Sequence, residues 1–260
     1  MAEAETFDPF KLPHAPIIEA VLDIDCDLPP DLDRTELERA GRDAFRPDYP
    51  KFRKQLIHEA EVMMKAEEEP RFSARQGVRS FQFLSDNEKQ IVQVRVDGFS
   101  FNRLAPYSSL DDYLPEIGRC WGIFKELARP RLIRKIALRY INRIVIPAEE
   151  GAQVDLKAFL TVGPRLPAET GLTFTGFLNQ HQAMDKESGN SANIILASEP
   201  FANGGFPIVL DIEVWKQNRL DPARTDELMA TVHSLRALKN RIFKHTLTPE
   251  CLSLYQQPPS

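Results

Sequence analysis

The order of predicted secondary-structure elements repeats once along the chain, and this repeat constrains the fold more than any other feature. Alternating apolar residues predict strands, and apolar residues three and four positions apart predict helices. Both copies read strand, helix, three strands, helix. The predicted elements are a strand at 17–26, a helix from Asp33 or Thr35 to Phe45, strands at 52–62, 78–84 and 90–96, a helix at 110–128, a strand at 132–146, a short helix at 154–162, strands at 174–184, 193–197 and 208–215, and a helix from Thr225 or Asp226 to Lys244.

Offsets of 114 to 118 residues align the two copies. An offset of 116 places Val92, Val94 and Val96 on Ile208, Leu210 and Ile212, and Asn102-Arg103-Leu104 on Asn218-Arg219-Leu220. The first strands align at 118 and the long helices at 114. Each offset is even, so the same strand face stays inward. The alternative is chance, because alternating strands match one another at any even offset.

We therefore predict an α+β fold in which duplicated β-α-β-β-β-α units form one antiparallel sheet with helices packed on one face. The predicted organisation is a lead-in at 1–15, units at 16–130 and 131–255, and a tail at 256–260. Within the first unit, Asp97-Gly98 is a turn signal that either ends a strand or starts a hairpin into 99–104, and an acidic turn is expected at 67–70. The architecture resembles the saddle of TATA-binding-protein-like folds by analogy, which carries no function.

Composition limits the class of protein. Of the 260 residues, 42% are hydrophobic and 27% charged, which excludes a disordered chain and a disulfide-stapled miniprotein. No apolar run approaches the roughly 20 residues of a membrane-spanning helix, and the first ten residues lack a secretory signal. We therefore expect a cytoplasmic protein without membrane contact. Cys26, Cys120 and Cys251 have no metal-like spacing and are predicted to be buried thiols.

The usual catalytic and cofactor motifs are missing from the sequence. There is no glycine-rich phosphate loop, no close pair among the five histidines and no nucleophile elbow. The sequence thus predicts no metal site, no cofactor and no catalytic residue, and favours a protein that is not an enzyme.

Charge is segregated along the chain, although the net charge is only -5, which argues against a general nucleic-acid binder. Residues 19–38 are strongly acidic, whereas 129–143 hold six cations and no acid. We predict a basic sheet face that meets an anion, a nucleic-acid backbone or an acidic partner, with phenylalanines able to stack on bases. The candidate binding residues are Arg95, Phe99, Phe101, Arg103, Lys135, Arg139 and Arg143. The alternative is that the cations pair with the acidic half and the phenylalanines lie in the core.

Several polar residues are interpreted as structural. Asn102 and Asn218 occur at strand ends, where an amide satisfies backbone groups. Tyr140 and Asn142 fall on the helix-packed face of their strand and are expected to be buried and hydrogen bonded. The cations near the end of the last helix, Arg236 and Lys239 among them, are explained by the helix dipole.

Four segments together resemble a family of uncharacterised, sporadically distributed bacterial proteins. They are APIIEA at 15–20, DGFSFNRL at 97–104, LRYINRI at 138–144, and LKNRIF at 238–243 followed by Thr246-Leu247-Thr248. The resemblance implies a bacterial cytosolic protein of patchy distribution, with no known activity, cofactor or catalytic residue. Such distribution often accompanies defence or toxin–antitoxin gene cassettes.

Three functional hypotheses follow. The first is a non-enzymatic binding or regulatory protein with a protein partner, such as an antitoxin, an immunity protein or a defence accessory. This hypothesis also allows a homodimer. The second is nucleic-acid or nucleotide binding through the basic sheet face. The third is an enzyme with an unrecognised site at the seam between the two halves.

Overall fold

The computed structural model describes residues 12–63, 71–149, 154–167, 171–172, 174–202 and 204–256. The strands in chain order are β1 (Ile17–Asp27), β2 (Lys51–Met63), β3 (Arg71–Leu84), β4 (Gln90–Arg95), β5 (Gly98–Leu104), β6 (Leu132–Pro147), β7 (Leu178–Met184), β8 (Ser191–Ser198) and β9 (Gly205–Leu220). The helices are α1 (Arg34–Phe45), α2 (Leu110–Ala128), α3 (Thr225–Thr246) and α4 (Pro249–Ser253), and Leu156–Ala158 forms one turn of 3-10 helix. The predicted α+β class is confirmed. Positions 1–11 of the predicted lead-in, the acidic turn at 67–70 and the end of the tail lie outside the described residues.

All nine strands belong to one sheet, in the order β2-β3-β4-β5-β1-β6-β9-β8-β7, and every neighbouring pair is antiparallel. The first strands of the two predicted units, β1 and β6, pair with each other at its centre. The sheet is thus continuous across the boundary between the units, as the sequence predicts.

The helices cover one face of this sheet, and the core lies between them and the strands. Phe45 of α1 stacks on Phe83 of β3, with ring centroids 4.9 Å apart. Trp121 of α2 meets Phe99 of β5 at 5.7 Å, and Leu235 of α3 is fully buried over the second half. No helix of the described residues covers the other face of the sheet, which we call the open face.

Two local sequence signals, the helix cap at Asp33 and the turn at Gly98, have the predicted structural roles. Asp33 is the N-cap of α1, and its carboxylate accepts the backbone N–H groups of Thr35 and Glu36. Gly98 takes φ +155°, and a Cβ there would lie 2.1 Å from the carbonyl oxygen of Ile24. Only glycine fits where the β4–β5 hairpin passes so close to β1.

The details of the predicted repeat need two corrections. The Asp97-Gly98 signal does start a hairpin, so four strands follow α1 instead of three. The predicted short helix at 154–162 is reduced to the single 3-10 turn, because so short a segment forms few helical hydrogen bonds and Leu160 pairs with Leu247 in an extended bridge.

The 116-residue offset is wrong for the strands. It aligns Val92 and Val94 of β4 with β9, but β5 is the strand that lies beside β1 as β9 lies beside β6. The helix-facing residues of β5 have odd numbers, such as Phe99, and those of β9 have even numbers, such as Leu210. Equivalent positions are therefore an odd number of residues apart. The duplication itself stays a prediction.

Candidate functional site

A cavity of about 460 Å³ lies where the centre of the sheet meets α2 and α3, at the seam between the two predicted units. We call it the seam pocket, and the lining residues that carry its chemistry are Tyr107, Tyr140, Asn142, Arg236, Lys239 and Phe243. The last three recur at intervals of three and four residues, so one face of α3 forms a wall. Small-molecule sites are commonly about 300–1,000 Å³, so the cavity has room for an organic ligand.

Lys239 is the unusual residue of the seam pocket. It is partly buried, and its Nζ lies 4.0 Å from the centroid of the Tyr140 ring. Within the described part of the chain, no side chain forms an ion pair or hydrogen bond with this amine. Burial and the neighbouring Arg236 cation lower the pKa of Lys239 to about 7. Near neutral pH, much of the population therefore carries a neutral amine.

Arg236, one turn before Lys239, is buried and paired. Its Nη1 and Nη2 donate to the two carboxylate oxygens of Asp111 at 2.6 and 2.9 Å. Asp111 lies in the first turn of α2, so this bidentate pair joins α2 to α3 across the seam. The pair fixes a guanidinium beside Lys239 while its charge is balanced by a carboxylate.

Two tyrosines form the polar end of the cavity. The hydroxyls of Tyr107 and Tyr140 are 3.1 Å apart, and the rings meet edge to face at 5.7 Å. Burial raises the pKa of both phenols above the ordinary value, so both hydroxyls stay protonated and can donate. Asn142 is buried beside them, and its Nδ2 donates to the carbonyls of Tyr140 and Leu210 at 3.2 and 2.9 Å.

The predicted cations of β6 lie on the open face, and each has a carboxylate partner. Lys135 Nζ is 3.1 Å from Glu213. Arg139 Nε donates to Asp211 at 2.9 Å, and Arg143 Nε donates to Glu199 at 2.7 Å. A phosphate backbone would have to displace these carboxylates before binding the cations.

Arg95 lies on the same open face at the end of β4, and Gly98 of β5 separates it from Asp25 of β1. Its guanidinium pairs with Asp25, and Asp23 adds a second nearby negative charge while accepting a hydrogen bond from Ser100. Burial raises the pKa of Asp23, which the Arg95 cation partly offsets. The open face thus carries carboxylates beside every predicted cation and is not a uniformly basic surface.

The structure contradicts the prediction that Phe99, Phe101 and Arg103 share the face of Arg95. Both phenylalanines are at most 2% exposed, and Phe99 packs on Trp121 and Phe124 of α2. Arg103 donates to the hydroxyl of Tyr113 at 3.1 Å, also on the helix side. The hairpin turn pairs Arg95 with Gly98, so the even residues of β5 share the face of Arg95 and the odd ones face the helices.

The remaining polar candidates have local partners. Asn102 lies on the open face, where it accepts from Gln93 at 2.8 Å and donates to Glu19 at 2.7 Å. Asn218, near the end of β9, donates to the carbonyl of Lys216 at 3.4 Å. Neither amide is part of the seam pocket.

Lys239 and Tyr107 line one cavity, which was not among the sites predicted from the sequence. A signal was present, because Arg236, Lys239 and Phe243 share a helix face with the apolar stripe, and Tyr140 and Asn142 interrupt an otherwise apolar strand face. Polar groups on two inward faces indicate a shared cavity, but only the fold brings those faces together.

Two absences complete the description of the site. Among the described residues, no cluster of three or more histidine, cysteine, aspartate or glutamate side chains is arranged to hold a metal ion. No described helix combines the length and apolar character needed to cross a membrane.

Comparison with other proteins adds no further assignment to this geometry. No model of a known protein family matches the chain, and a search among curated proteins gives no match.

Proposed function

We propose that this protein binds a small organic acid in the seam pocket. The observation that carries the proposal is Lys239, a potential cation in a walled cavity without a carboxylate partner among the described residues. A ligand carboxylate would supply the missing counter-charge. The proposal belongs to the binding or regulatory class that the sequence favours.

The surroundings of Lys239 suit an acid with an apolar body. Leu110 and Phe243 line the cavity on the helix side, and Ile17 lines it from β1. Apolar walls with a few convergent polar groups are typical of ligand sites. The tyrosine hydroxyls and Asn142 are available beside the cation to orient polar groups of the ligand.

Ligand binding and protonation are then linked. A carboxylate beside Lys239 favours the ammonium form, so binding raises the pKa of Lys239 and takes up a proton above pH 7. Affinity should therefore fall as the pH rises from about 7, since more of the free protein must first be protonated.

The finer structural and biological expectations remain proposals as well. The duplication is supported by the central register, since Val21 pairs with Arg139 and the offset of 118 exchanges these two positions, as a two-fold axis between them requires. The seam pocket would then lie at the junction of the halves. The saddle analogy, a bacterial cytosolic location, a protein partner and an antitoxin, immunity or defence role stay predictions.

Calorimetric titration with phenyllactate, an organic acid with an apolar body, tests the proposal. We expect wild-type protein to bind it and Lys239→Met to bind it at least about tenfold more weakly, because a hydrogen bond to a charged group contributes about 1.5–3 kcal/mol. Lys186→Met, which removes an exposed lysine outside the pocket, is the matched control and should bind like wild type. Equal affinity in the two variants, or no binding by wild-type protein, would contradict the proposal.

A further inference from the structure

We infer that Lys239 captures the carbonyl group of an aldehyde or 2-oxo acid in the seam pocket as an imine. The inference rests on the proposed function and narrows it, because the organic acid must then carry a carbonyl group. It assigns a covalent role to a residue that the helix dipole had seemed to explain.

The position of the amine supports this role. A lysine engaged by a carboxylate is held as an ammonium ion and is not nucleophilic, whereas Lys239 has no such partner among the described residues. Its Nζ lies over the Tyr140 ring and borders a cavity of about 460 Å³, so a ligand carbonyl carbon can approach it.

The environment also keeps the amine in its reactive form. Desolvation and the adjacent Arg236 cation both disfavour the ammonium, and this combination of burial and a neighbouring cation is a known way to activate a lysine nucleophile. Because Asp111 holds Arg236 in place with two hydrogen bonds, the cation persists beside the amine when the pocket is filled.

The step is balanced without an oxidant or reductant. The Nζ lone pair attacks the carbonyl carbon, a C–N bond forms, and the C=O π electrons move to oxygen, which takes up a proton. The nitrogen of this adduct, now positively charged, passes one proton to solvent, which gives the neutral carbinolamine. The hydroxyl takes up a second proton and leaves as water, so a protonated imine forms, and loss of its N–H proton to solvent gives the neutral imine. Amine and carbonyl compound thus give imine and one water.

The tyrosine pair is suited to the proton transfers of this step. Tyr107 and Tyr140 line the same cavity, and their hydroxyls are hydrogen bonded to each other at 3.1 Å. A protonated phenol can donate to the developing alkoxide and then to the departing water. We assign the pair a positioning and proton-donating role next to the reacting amine.

The charge of the pocket selects the class of carbonyl compound. Formation of a protonated imine places a cation beside Arg236, and a carboxylate on the adjacent carbon of the ligand would neutralise it. A 2-oxo acid carries both groups in one molecule, and the apolar wall formed by Leu110 and Phe243 favours an apolar substituent.

Reductive trapping with phenylpyruvate tests the inference. Full-length protein is incubated with phenylpyruvate and cyanoborohydride, which reduces an imine to a stable secondary amine, and labelled lysines are located by peptide mass spectrometry. We expect Lys239 to be labelled at least about tenfold faster than the exposed Lys186, and excess phenyllactate to suppress only the labelling of Lys239.

The pH profile separates this chemistry from nonspecific labelling. Among the described residues, the titratable groups that line the pocket are Lys239 and Arg236 from α3, Asp112 from α2, and Tyr107 and Tyr140, and Asp111 of α2 pairs with Arg236. We expect the labelling rate of Lys239 to rise with pH with a midpoint near 7, because its amine must be neutral to react. An ordinary lysine, with a pKa near 10.4, would still be gaining rate well above that pH.

The outcomes distinguish the inference from the proposed function. If phenyllactate binds but Lys239 is labelled no faster than Lys186, the inference is overturned and the binding proposal stands. If Lys239 is labelled selectively although phenyllactate does not bind, the inference stands and the binding proposal is overturned. Tyr140→Phe should slow the labelling of Lys239 while leaving the labelling of Lys186, which lies outside the pocket, unchanged; an unchanged rate at Lys239 would overturn the role assigned to the tyrosine pair.

Discussion

The cations on the two faces of the sheet differ in whether a carboxylate pairs with them. On the open face, Arg95, Lys135, Arg139 and Arg143 each pair with a carboxylate. On the helix-covered face, Lys239 lies in a cavity without one among the described residues. A paired cation is mainly a structural device, whereas a cation that lacks a protein partner is held at a cost to stability.

This difference indicates which cations are candidates for a functional role. The sequence predicted binding on the open face because β6 is rich in arginine and lysine. In the structure, carboxylates from neighbouring parts of the chain pair with these cations. The seam pocket was not predicted, because Lys239 lies in a helix whose sequence is otherwise ordinary. Unbalanced charge in a cavity, not the density of charge along the chain, is what marks a candidate site.

Removal of a paired cation should have the largest effect. We expect Arg95→Met to lower the free energy of unfolding by about 3 kcal/mol at pH 7, because Asp25 and Asp23 lose a buried partner. Urea denaturation measures the change. The loss should shrink as the pH falls toward the raised pKa of Asp23, since a protonated carboxyl no longer needs the cation.

An exposed pair offers the matched control for this variant. Arg134 pairs with Asp27 at 3.0 Å, but both side chains are about half exposed, so Arg134→Met should cost under about 1 kcal/mol. Equal losses in free energy of unfolding for Arg95→Met and Arg134→Met would contradict the idea that burial sets the strength of these ion pairs.

Removal of the unbalanced cation should have an effect of opposite sign. The pKa of Lys239 is about 7 in the folded protein and near 10.4 for an ordinary lysine. Between these values the unfolded chain binds more protons, so this group makes the wild-type free energy of unfolding rise with pH, by at most about 1.4 kcal/mol per unit. Lys239→Met should be more stable than wild type at pH 7, and the advantage should narrow as the pH rises.

The measurement is the difference between wild-type and variant unfolding free energies at pH 7 to 8.5. Above that range the buried thiols of Cys26, Cys120 and Cys251 oppose the trend, because burial raises the pKa of each to about 12, but they contribute equally to both proteins. Lys186→Met, which removes an exposed lysine outside the pocket, is the matched control. Parallel curves for wild type and Lys239→Met would show that Lys239 is not desolvated.

The sequence predicts the fold where its signals are local. The alternation along β6 places Tyr140 and Asn142 on the helix side and Arg139 on the open side, and the structure has both assignments. The face of a residue follows from its parity within one strand. Across the β4–β5 hairpin the parity changes with the length of the turn, and so Phe99 and Phe101 were placed on the wrong face.

The candidate site depends on relations that a single sequence does not contain. Arg139 and Asp211 are 72 positions apart, and the register of β6 against β9 brings them together. In the same way, Lys239 is unusual because no described carboxylate reaches it, and this depends on how α3 crosses the sheet. Residue types can be read from the sequence, but the partners that balance them come from the packing.

A small effect is also expected on the open face at Arg143, which pairs with Glu199. The two side chains are 33% and 38% exposed, so water and salt already screen the pair. We expect Arg143→Gln to lower the free energy of unfolding by under about 1 kcal/mol in low salt, and by less in 1 M salt, in urea titrations at both ionic strengths.

A loss of 2 kcal/mol or more that persists in high salt would mean that Arg143 belongs to a desolvated charge network like that of Arg95. A small, salt-sensitive loss would place Arg143 below Arg95 in a series ordered by burial. Ion pairing on the open face would then be explained by its contribution to the free energy of unfolding. The amine of Lys239, which has no carboxylate partner among the described residues, would have no such explanation.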